Sequence, residues 1–481
     1  MHERDVVILG AGMSGLCCAA QLRRAGIENF VVVEQSPGLG GTWWDNRYPG
    51  AQVDVPAPLY SFSFAPNPRW QRRFAAAAEI QAYMQRVAED QGVLPHCRFG
   101  ERIESAVFDE AAARWQVRTD RGNAWAARHL VLSTGPLSRP RLPDVAGIES
   151  FGGRLLHSAR WDESFDARGL RVGVVGTGST ASQLVPPLAE AAAQLTVFQR
   201  TPNWVLPRLD RPYGALDRAL ARVPPWAAAV RLFWYYLLEW GRLGFEEGSV
   251  ARRGLLRTAE ALLQRQVPDE ALRAKLRPSY PLGCKRLIYS SDYYHALTRP
   301  NASLVTEPIG RVVPEGVVTA DGRLHALDAL VCATGFDVEH SMAHVDVRGR
   351  GGRTLAEAWR DGPQAHRGIT VAGFPNLYLM LGPNTATGHT STLLFIEPGV
   401  RWMLRAVKEL QRRGGRTLEV SAEAQQAWNT MLQQRLAGSV WSGCRSWYRA
   451  ANGRNIALWP GFTREYVRTL ERCRFEGYAF A

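Results

Sequence analysis

The sequence predicts an α/β protein that carries two Rossmann-like dinucleotide-binding domains and a helical insertion. A glycine-rich motif follows an apolar strand pattern near residue 10, and a second such motif follows another strand pattern near residue 176. A glycine-rich turn between a strand and a helix is typical of this fold. Between them and the C-terminal part, residues at about 205–280 are rich in Trp, Leu and Arg and favour helices.

The first unit contains the GxGxxG motif of Gly10, Gly12 and Gly15 directly after an apolar strand pattern. The first two glycines allow a tight turn and let the backbone approach a pyrophosphate, and the third allows close helix packing. A helix is predicted over residues 16–24, and the N–H groups at its start attract phosphates. Glu34 ends the next strand pattern, where its carboxylate can accept hydrogen bonds from both hydroxyls of an adenosine ribose.

The glycine motif recurs in the run Gly176, Thr177, Gly178, Ser179, Thr180 and Ala181. A helix is predicted over 182–192, with Gln183 near its start facing the nucleotide. The following strand pattern ends without an acid and is followed by Arg200 and Thr201. A guanidinium there pairs with a 2′-phosphate that a carboxylate would repel. We therefore predict FAD in the first unit and NADPH in the second, because one can pass hydride to the other.

Two short turns mark the places where the chain is expected to cross between the domains, residues 133–135 and 333–335. Residues 136–170 and 330–345 are the expected hinges for domain rotation. The predicted parts are 1–140, the first part of the FAD-binding domain; 141–335, the NADPH-binding domain with its insertion at about 205–280; and 336–481, the second part of the FAD-binding domain with the C-terminal segment.

The formal net charge of +13 favours anionic partners. No block of six or more Lys and Arg residues occurs, so we expect phosphates on small molecules and no nucleic acid. The seven cysteines include no CxxC pair, which predicts reduced thiols and no metal site. The N-terminus fits no signal peptide, and a cytoplasmic protein is expected.

No uninterrupted apolar run reaches the ~18 residues of a transmembrane helix. The nearest approach, residues 226–245, is rich in aromatic residues but is broken by Arg231, Glu239 and Arg242. We expect a buried or lid helix here. A surface that makes weak contact with lipid, or one that admits an apolar substrate, remains the alternative.

Residues 151–162 resemble the fingerprint of type I Baeyer–Villiger monooxygenases, FxGxxxHxxxW followed by Pro or Asp. The matching positions are Phe151, Gly153, His157, Trp161 and Asp162. The fingerprint lies just ahead of the second glycine motif, as it does in that family. Further stretches resemble the same family, so the resemblance covers nearly the whole chain; they include residues 40–44, 47–51, 280–286, 382–384 and 446–448.

The resemblance implies that NADPH reduces FAD, that the reduced flavin and O2 form a C4a-peroxyflavin, and that the peroxide attacks a ketone to give an ester or lactone. It implies that Arg286 is the cation that stabilises the anions of this reaction. Asp54 matches the acid that holds this arginine. Lys285 matches the residue that helps Arg200 to bind the 2′-phosphate.

Further cofactor contacts are implied by the same resemblance. Trp447 matches a residue that contacts the nicotinamide ribose. His157 is either involved in domain motion or is a hydrogen-bonded structural histidine, and both interpretations stay open. The residues expected at the flavin are Gly41, Thr42, Trp43, Asp54 and Tyr60.

Three other functions are compatible with parts of the sequence. A flavin monooxygenase that oxygenates N or S atoms shares the fold and is the main alternative. A pyridine-nucleotide disulfide reductase needs a redox cysteine pair beside the flavin, and the sequence contains none. A non-catalytic nucleotide-binding scaffold would have no use for the fingerprint or Arg286. The substrate pocket is expected to draw on the insertion and on residues 384–394.

Overall fold

The computed structural model describes residues 2–341 and 343–481. The strands are β1 (His2–Leu9), β2 (Phe30–Glu34), β3 (Cys97–Phe99), β4 (Ile103–Asp109), β5 (Arg114–Thr119), β6 (Ala124–Leu132), β7 (Arg154–His157), β8 (Arg171–Val175), β9 (Gln194–Phe198), β10 (Val205–Leu206), β11 (Ile288–Tyr289), β12 (Ala302–Val305), β13 (Ile309–Val313), β14 (Gly316–Thr319), β15 (Leu324–Ala326), β16 (Ala329–Cys332), β17 (Asp346–Arg348), β18 (Leu377–Leu379), β19 (Leu418–Val420) and β20 (Tyr478–Phe480).

The helices fall into the two nucleotide-binding units, the insertion and the C-terminal part. They are α1 (Met13–Arg24), α2 (Thr42–Asp45), α3 (Ala77–Asp90), α4 (Ser179–Ala191), α5 (Ala215–Ala221), α6 (Pro224–Gly241), α7 (Val250–Gln266), α8 (Glu270–Leu276), α9 (Tyr293–Leu297), α10 (Leu355–Ala358), α11 (Leu393–Arg412), α12 (Ala422–Ala437) and α13 (Thr463–Glu471). The predicted helical insertion corresponds to α5–α8. The mixture of strands and helices and the Rossmann-like first unit confirm the expected α/β fold class.

The larger sheet has eight strands in the order β17-β4-β5-β6-β1-β2-β3, with β18 beside β6. Strands β1, β2 and β6 run parallel, and their inward residues are almost fully buried. Helices α1 and α11 pack together on this sheet through side chains such as Leu16, Phe395 and Met403. The sheet therefore combines the first and last parts of the chain, as expected for a domain interrupted by another.

The smaller sheet has five parallel strands in the order β12-β9-β8-β16-β7. Helix α4 covers it through Leu184, Val185 and Leu188. This helix begins at Ser179, earlier than predicted, and runs through Pro186 and Pro187 without a break. All five strands come from residues 154–332, so this sheet is built within one stretch of the chain.

The two segments that connect the sheets lie side by side. Arg141 N donates to Gly335 O at 3.0 Å, and Asp337 N donates to Arg139 O at 2.9 Å. The carbonyl of Arg141 also accepts a hydrogen bond from the Thr334 hydroxyl. The chain therefore crosses between the sheets twice at one place, within the two predicted hinge segments.

Helix α6 differs from the expected buried or lid helix, because one side of it is exposed. Its other side packs against the larger sheet's domain through Trp234, Tyr235 and Leu238. The sequence could not decide between a buried or lid helix and an exposed apolar surface, because hydrophobicity alone does not reveal which side of a helix meets solvent. Within residues 2–341 and 343–481, no helix is both long enough and apolar enough to cross a bilayer.

Candidate active site

A cavity of about 1610 Å³ lies where the carboxyl ends of strands from both sheets meet. Strands β1, β2 and β6 end at it, and so do β8, β9 and β16. Ligands of open α/β sheets bind outside the carboxyl ends of the strands. A pocket for one drug-sized ligand occupies roughly 300–1,000 Å³, so this cavity is larger than one such ligand needs.

The predicted site residues converge on this cavity, although they are spread over more than 430 positions of the chain. Gly15 is the exception, because it faces the packed interior of its own turn. Those that line the cavity are Gly10, Gly12, Glu34, Gly41, Thr42, Trp43, Asp54, Tyr60, Gly176, Gly178, Ser179, Thr180, Gln183, Arg200, Thr201, Lys285, Arg286 and Trp447.

The first glycine motif is shaped for a closely approaching ligand. Gly10 has a φ of +97°, and a Cβ on Gly15 would lie 1.8 Å from the carbonyl oxygen of Gly10. A Cβ on Gly12, in contrast, would meet only the Cα of Gly41, at 3.6 Å. Gly10 and Gly15 are thus required by the turn itself, whereas Gly12 leaves open space beside the start of α1. This open cradle fits a pyrophosphate.

Glu34 closes the other side of this cradle at the end of β2. Its Oε2 accepts a hydrogen bond from Ala11 N at 2.7 Å, and its Oε1 accepts one from Ser36 N at 2.8 Å. Burial raises the pKa of Glu34, and the two backbone N–H groups act against that rise. Each carboxylate oxygen keeps a further lone pair, so the group can still accept bonds from a ribose.

The second glycine motif leads into α4 with a similar open cradle. Gly176 has a φ of +118°, and a Cβ on Gly178 would find no atom within 4 Å. Ser179 and Thr180 form the first turn of α4 beside this space. The free N–H groups of the turn fit an anionic phosphate in the same way as in the first unit.

Two cationic side chains stand together beyond this second cradle. Arg200 is exposed after the end of β9, and Lys285 lies close to it with its Nζ 4.7 Å from the centre of the Tyr280 ring. Burial, and then the charge of Arg200, lower the pKa of Lys285. Two like charges held together favour an anion between them, which fits the 2′-phosphate of NADPH.

Arg286 and Asp54 form an ion pair on the cavity wall. The Nε and Nη2 atoms of Arg286 both donate to Asp54 Oδ2, at 3.0 and 2.5 Å. Burial raises the pKa of Asp54, but the charge and hydrogen bonds of Arg286 and the charge of Arg208 outweigh it, so the pKa is below its ordinary value. The charge of Asp54 in turn raises the pKa of Arg286.

The ion pair with Asp54 occupies only some of the N–H groups of the Arg286 guanidinium. Among the residues that the structure describes, Arg286 makes no hydrogen bond other than those to Asp54, and 37% of its side chain is exposed. An arginine has five N–H donors. The remaining donors are therefore available to an anion in the cavity.

Aromatic residues surround this pair. Trp43 donates from its indole nitrogen to the hydroxyl of Tyr60 at 3.2 Å. Burial raises the pKa values of Tyr60, Tyr289 and Tyr448 to about 12, so all three phenols stay neutral. Tyr289 and the nearby Arg208 were missed in the sequence. Tyr289 lies three residues after Arg286 and could have been found by examining that neighbourhood, whereas Arg208 carries no local signal.

Gln183 lines the cavity and also forms hydrogen bonds to the first unit. Its amide oxygen accepts hydrogen bonds from Tyr48 OH at 2.8 Å and Gln52 N at 3.3 Å, and its Nε2 donates to Gln52 O at 2.9 Å. Gly50 lies so close that a Cβ there would meet Gln183 O at 2.3 Å. The side chain therefore joins α4 to the first unit, and because it also lines the cavity its contact with NADPH stays a prediction.

A disulfide joins Cys284 to Cys444, which are 160 positions apart in the sequence and have their Cα atoms 6.0 Å apart. The prediction of reduced thiols is wrong for this pair, because tertiary folding brings together two cysteines that share no motif. The other five cysteines are free and buried. The bridge ties the segment before Lys285 to the segment before Trp447.

His157 and the rest of the fingerprint lie beside the crossing segments. His157 is buried at the end of β7, accepts a hydrogen bond from Ala159 N at 3.1 Å and packs edge-on against Phe336. Asp162 forms an ion pair with Arg154. The fingerprint therefore lies beside the two segments that connect the sheets, and its histidine does not line the cavity.

Of the two segments expected to line the substrate pocket, only residues 384–394 contribute to the wall of this cavity. Residues 384–394 contribute Ala386, Thr387, Thr390 and Thr392. No residue between 205 and 280 lines it, so the expectation that the insertion contributes is wrong for this cavity. The insertion instead uses its inner side to contact the outside of the first domain, as when Arg231 bonds to the carbonyls of Pro58 and Ser61.

Two family models match parts of the chain. Residues 8–77 match an NAD(P)-binding Rossmann-like domain, and residues 58–209 match the L-lysine 6-monooxygenase/L-ornithine 5-monooxygenase family. The second match covers less than half of the chain. It agrees with a nucleotide-dependent monooxygenase without defining the family of the whole.

Relatives that align with nearly the whole chain define its family. The chain is 42% identical to a Baeyer–Villiger monooxygenase of Streptomyces coelicolor, over 99% of this chain and 93% of the relative. It is 40% identical to a Baeyer–Villiger monooxygenase of Pseudomonas aeruginosa, over 99% of this chain and 90% of the relative. An oxidized steroid monooxygenase bound to NADP has the same fold, with a TM-score of 0.89, 32% identity and 99% coverage of both chains. The chain therefore belongs to the FAD- and NADPH-dependent type I Baeyer–Villiger monooxygenases.

Proposed function

We propose that this protein inserts one atom of O2 next to the carbonyl group of a ketone and releases an ester or a lactone. The observation that carries the proposal is the Arg286–Asp54 ion pair on the wall of a cavity that reaches both glycine motifs. Bound NADPH would supply two electrons, and bound FAD would pass them to O2, which provides the inserted oxygen atom while its second atom leaves as water. The protein's own residues bind these cofactors and stabilise the charge that develops.

We assign FAD to the domain whose sheet is built from residues 2–132 and 346–379, and NADPH to the domain whose sheet is built from residues 154–332. The open cradle at Gly12 and the carboxylate of Glu34 support the first assignment. The paired cations Arg200 and Lys285 support the second, since FAD carries no 2′-phosphate for them. Further proposed contacts are Gly10, Gly41, Thr42, Trp43 and Tyr60 for FAD, and Gly176, Gly178, Ser179, Thr180, Thr201 and Trp447 for NADPH.

In this proposal Arg286 stabilises the negative charge that forms on the ketone oxygen during oxygen insertion. Its high pKa, raised by Asp54, means that it does not release a proton to a basic oxygen nearby. The N–H groups of Arg286 that do not bond to Asp54 are free to donate to this negatively charged oxygen. Donors that are already in place before charge develops stabilise a transition state most effectively. Arg286 is thus a catalytic residue in the proposal.

Asp54 is a positioning residue. Two donors of Arg286 converge on one of its oxygens, which fixes the plane of the guanidinium. The pKa of Asp54 is lowered, so the carboxylate stays charged at neutral pH and the pair stays intact. Its effect on the reaction is exerted through Arg286.

We further propose that the protein works in the cytoplasm, where NADPH is regenerated. The disulfide Cys284–Cys444 is unusual for that compartment, in which thiols are generally kept reduced. Counting free thiols in protein that is alkylated directly on lysis tests whether the bridge forms there.

The reaction is tested by product analysis on the purified holoenzyme. Cyclic, aromatic and long-chain ketones are incubated with NADPH and O2, and a gain of one oxygen is followed by mass spectrometry. A thioether is the matched probe for the alternative N- or S-oxygenation. We expect an ester or lactone from at least one ketone class. Sulfoxide formation with no ester from any ketone would contradict the proposal.

A further inference from the structure

Helix α6 presents an apolar side to solvent. The six residues of this side, which we call the α6 face, are each 49–59% exposed: Trp226, Leu232, Phe233, Tyr236, Leu237 and Trp240. Most are spaced by three, four or seven residues, which places them on one side of a helix. Of the 16 exposed large hydrophobic residues among those described, 11 lie between 209 and 256. The insertion therefore concentrates apolar surface in one place.

The charged residues of α6 point in the opposite direction. Arg231 donates to the carbonyls of Pro58 and Ser61 at 2.9 and 2.7 Å. Glu239 is buried and accepts hydrogen bonds from Thr463 N and Arg464 N at 3.0 and 2.9 Å. A helix at a water-exposed surface places its charges outward and its apolar side inward. The reversed arrangement indicates that the α6 face meets an environment other than water.

Exposed arginines flank the α6 face on both sides in the sequence. Arg218 and Arg222 precede α6, and Arg253 and Arg257 follow it on α7. On α7, Arg253 and Arg257 share a side with Val250, which is 75% exposed.

Nearby carboxylates are partly engaged. Asp217 pairs with Arg211 at 2.6 Å and Glu246 pairs with Arg242 at 3.5 Å, whereas Glu247 has no ion-pair partner within the described part of the chain. The region therefore keeps a cationic excess, in line with the net charge of +13.

We propose that the α6 face binds the surface of an anionic phospholipid bilayer, with α6 lying in the plane of the interface. Trp and Tyr side chains prefer the level of the headgroups, and Phe and Leu reach the start of the acyl chains. The flanking arginines are attracted to the phosphates of anionic lipids. A second copy of this chain fits less well, because a two-fold contact between two α6 faces would bring their flanking arginines together, and these like charges repel each other.

The contact would lie next to the active-site domain. Arg231 bonds to the carbonyls on either side of Tyr60, which lines the large cavity. A membrane-bound α6 would thus hold this wall of the cavity close to the bilayer. The binding proposal itself does not depend on the oxygen-insertion chemistry.

Vesicle co-sedimentation of the holoenzyme tests the proposal. The probes are vesicles of phosphatidylcholine alone and of phosphatidylcholine mixed with phosphatidylglycerol. We expect binding to the mixed vesicles that weakens as salt is raised and is weak on phosphatidylcholine alone. The double variant Phe233→Gln/Leu237→Gln should raise the dissociation constant for the mixed vesicles at least tenfold. The variant Arg222→Gln/Arg257→Gln should reduce both the affinity and its salt dependence.

Leu324→Gln is the matched control, since Leu324 is 47% exposed on the β13–β15 sheet, far from α6 in the sequence. It should bind vesicles as the unaltered protein does. Flavin content and thermal unfolding verify that all variants fold. Equal vesicle binding by the α6 and Leu324 variants, or no binding to anionic vesicles, would overturn the proposal. A dimer in sedimentation velocity that only the α6 variants abolish would show that a second copy covers this face.

Discussion

The two nucleotide-binding units share one backbone arrangement but differ in the side chains around it. Gly10 and Gly176 each donate from their N–H to a carbonyl of the neighbouring strand, at 2.8 and 3.2 Å. The second strand of the first unit ends in a buried carboxylate, Glu34, whereas an exposed guanidinium, Arg200, follows that of the second. The shared backbone suits any pyrophosphate, so the strand-end side chain distinguishes the two nucleotides.

The units also differ at the third position of the motif, and Gly15→Ala is expected to have the largest effect of all. A Cβ at Gly15 would lie 1.8 Å from the Gly10 carbonyl, so the turn cannot keep its shape. We expect the variant to lose most of its bound FAD, measured as flavin absorbance per protein. Ala181→Gly is the matched control, because the second unit already holds a methyl group there; its cost is about 0.5–1 kcal/mol. Full flavin content in Gly15→Ala would refute the close packing.

Arg200→Ala is expected to affect the second unit alone. Hydrogen bonds to charged groups contribute about 1.5–3 kcal/mol each, so the KM for NADPH should rise by roughly 10–100-fold. The KM for NADH should change little, because NADH lacks the 2′-phosphate. Steady-state kinetics with both nucleotides measures this. Arg168→Ala, which removes an exposed arginine paired with Asp166 at 2.6 Å, serves as the control. Equal increases for NADPH and NADH would argue against the phosphate contact.

Lys285 should give a smaller, pH-dependent effect. Burial and the charge of Arg200 lower its pKa, so in the free enzyme it loses its proton below the ordinary lysine range of about 10.4. The affinity for NADP⁺ is therefore expected to fall as the pH rises through this lowered pKa. Lys285→Arg should remove that alkaline fall, since arginine stays charged. Titration of NADP⁺ binding across the alkaline range tests it, and an unchanged pH profile in Lys285→Arg would contradict the assignment.

The parts of the site that depend on local backbone could be predicted from the sequence. The glycine motifs, Glu34 and Arg200 stand at strand ends, and parallel strands bring their carboxyl ends to one edge of a sheet. A correct prediction of the fold is therefore enough to expect that the predicted residues, apart from Gly15, line one cavity. Lys285 and Arg286 were recognised through family resemblance, not through any local pattern.

The parts that depend on tertiary packing could not be predicted. The Cys284–Cys444 disulfide joins residues that are 160 positions apart in the sequence. The hydrogen bonds of Gln183 to segment 48–52 of the other domain also join positions that are more than 130 residues apart in the sequence. The outward side of α6 likewise follows from where Arg231 and Glu239 find their partners, which composition does not reveal.

Arg286, held by Asp54, is proposed to serve oxygen insertion and not nucleotide binding. The most direct measurement is a single-turnover comparison of Arg286→Ala with Arg200→Ala, following flavin reduction by NADPH and ester formation separately. We predict that Arg286→Ala is still reduced when NADPH is saturating but forms ester ~10²–10³-fold more slowly. Arg200→Ala should show the reverse pattern, with weak NADPH binding and unimpaired ester formation once reduced. Ester formation at a near-normal rate in Arg286→Ala would contradict the account.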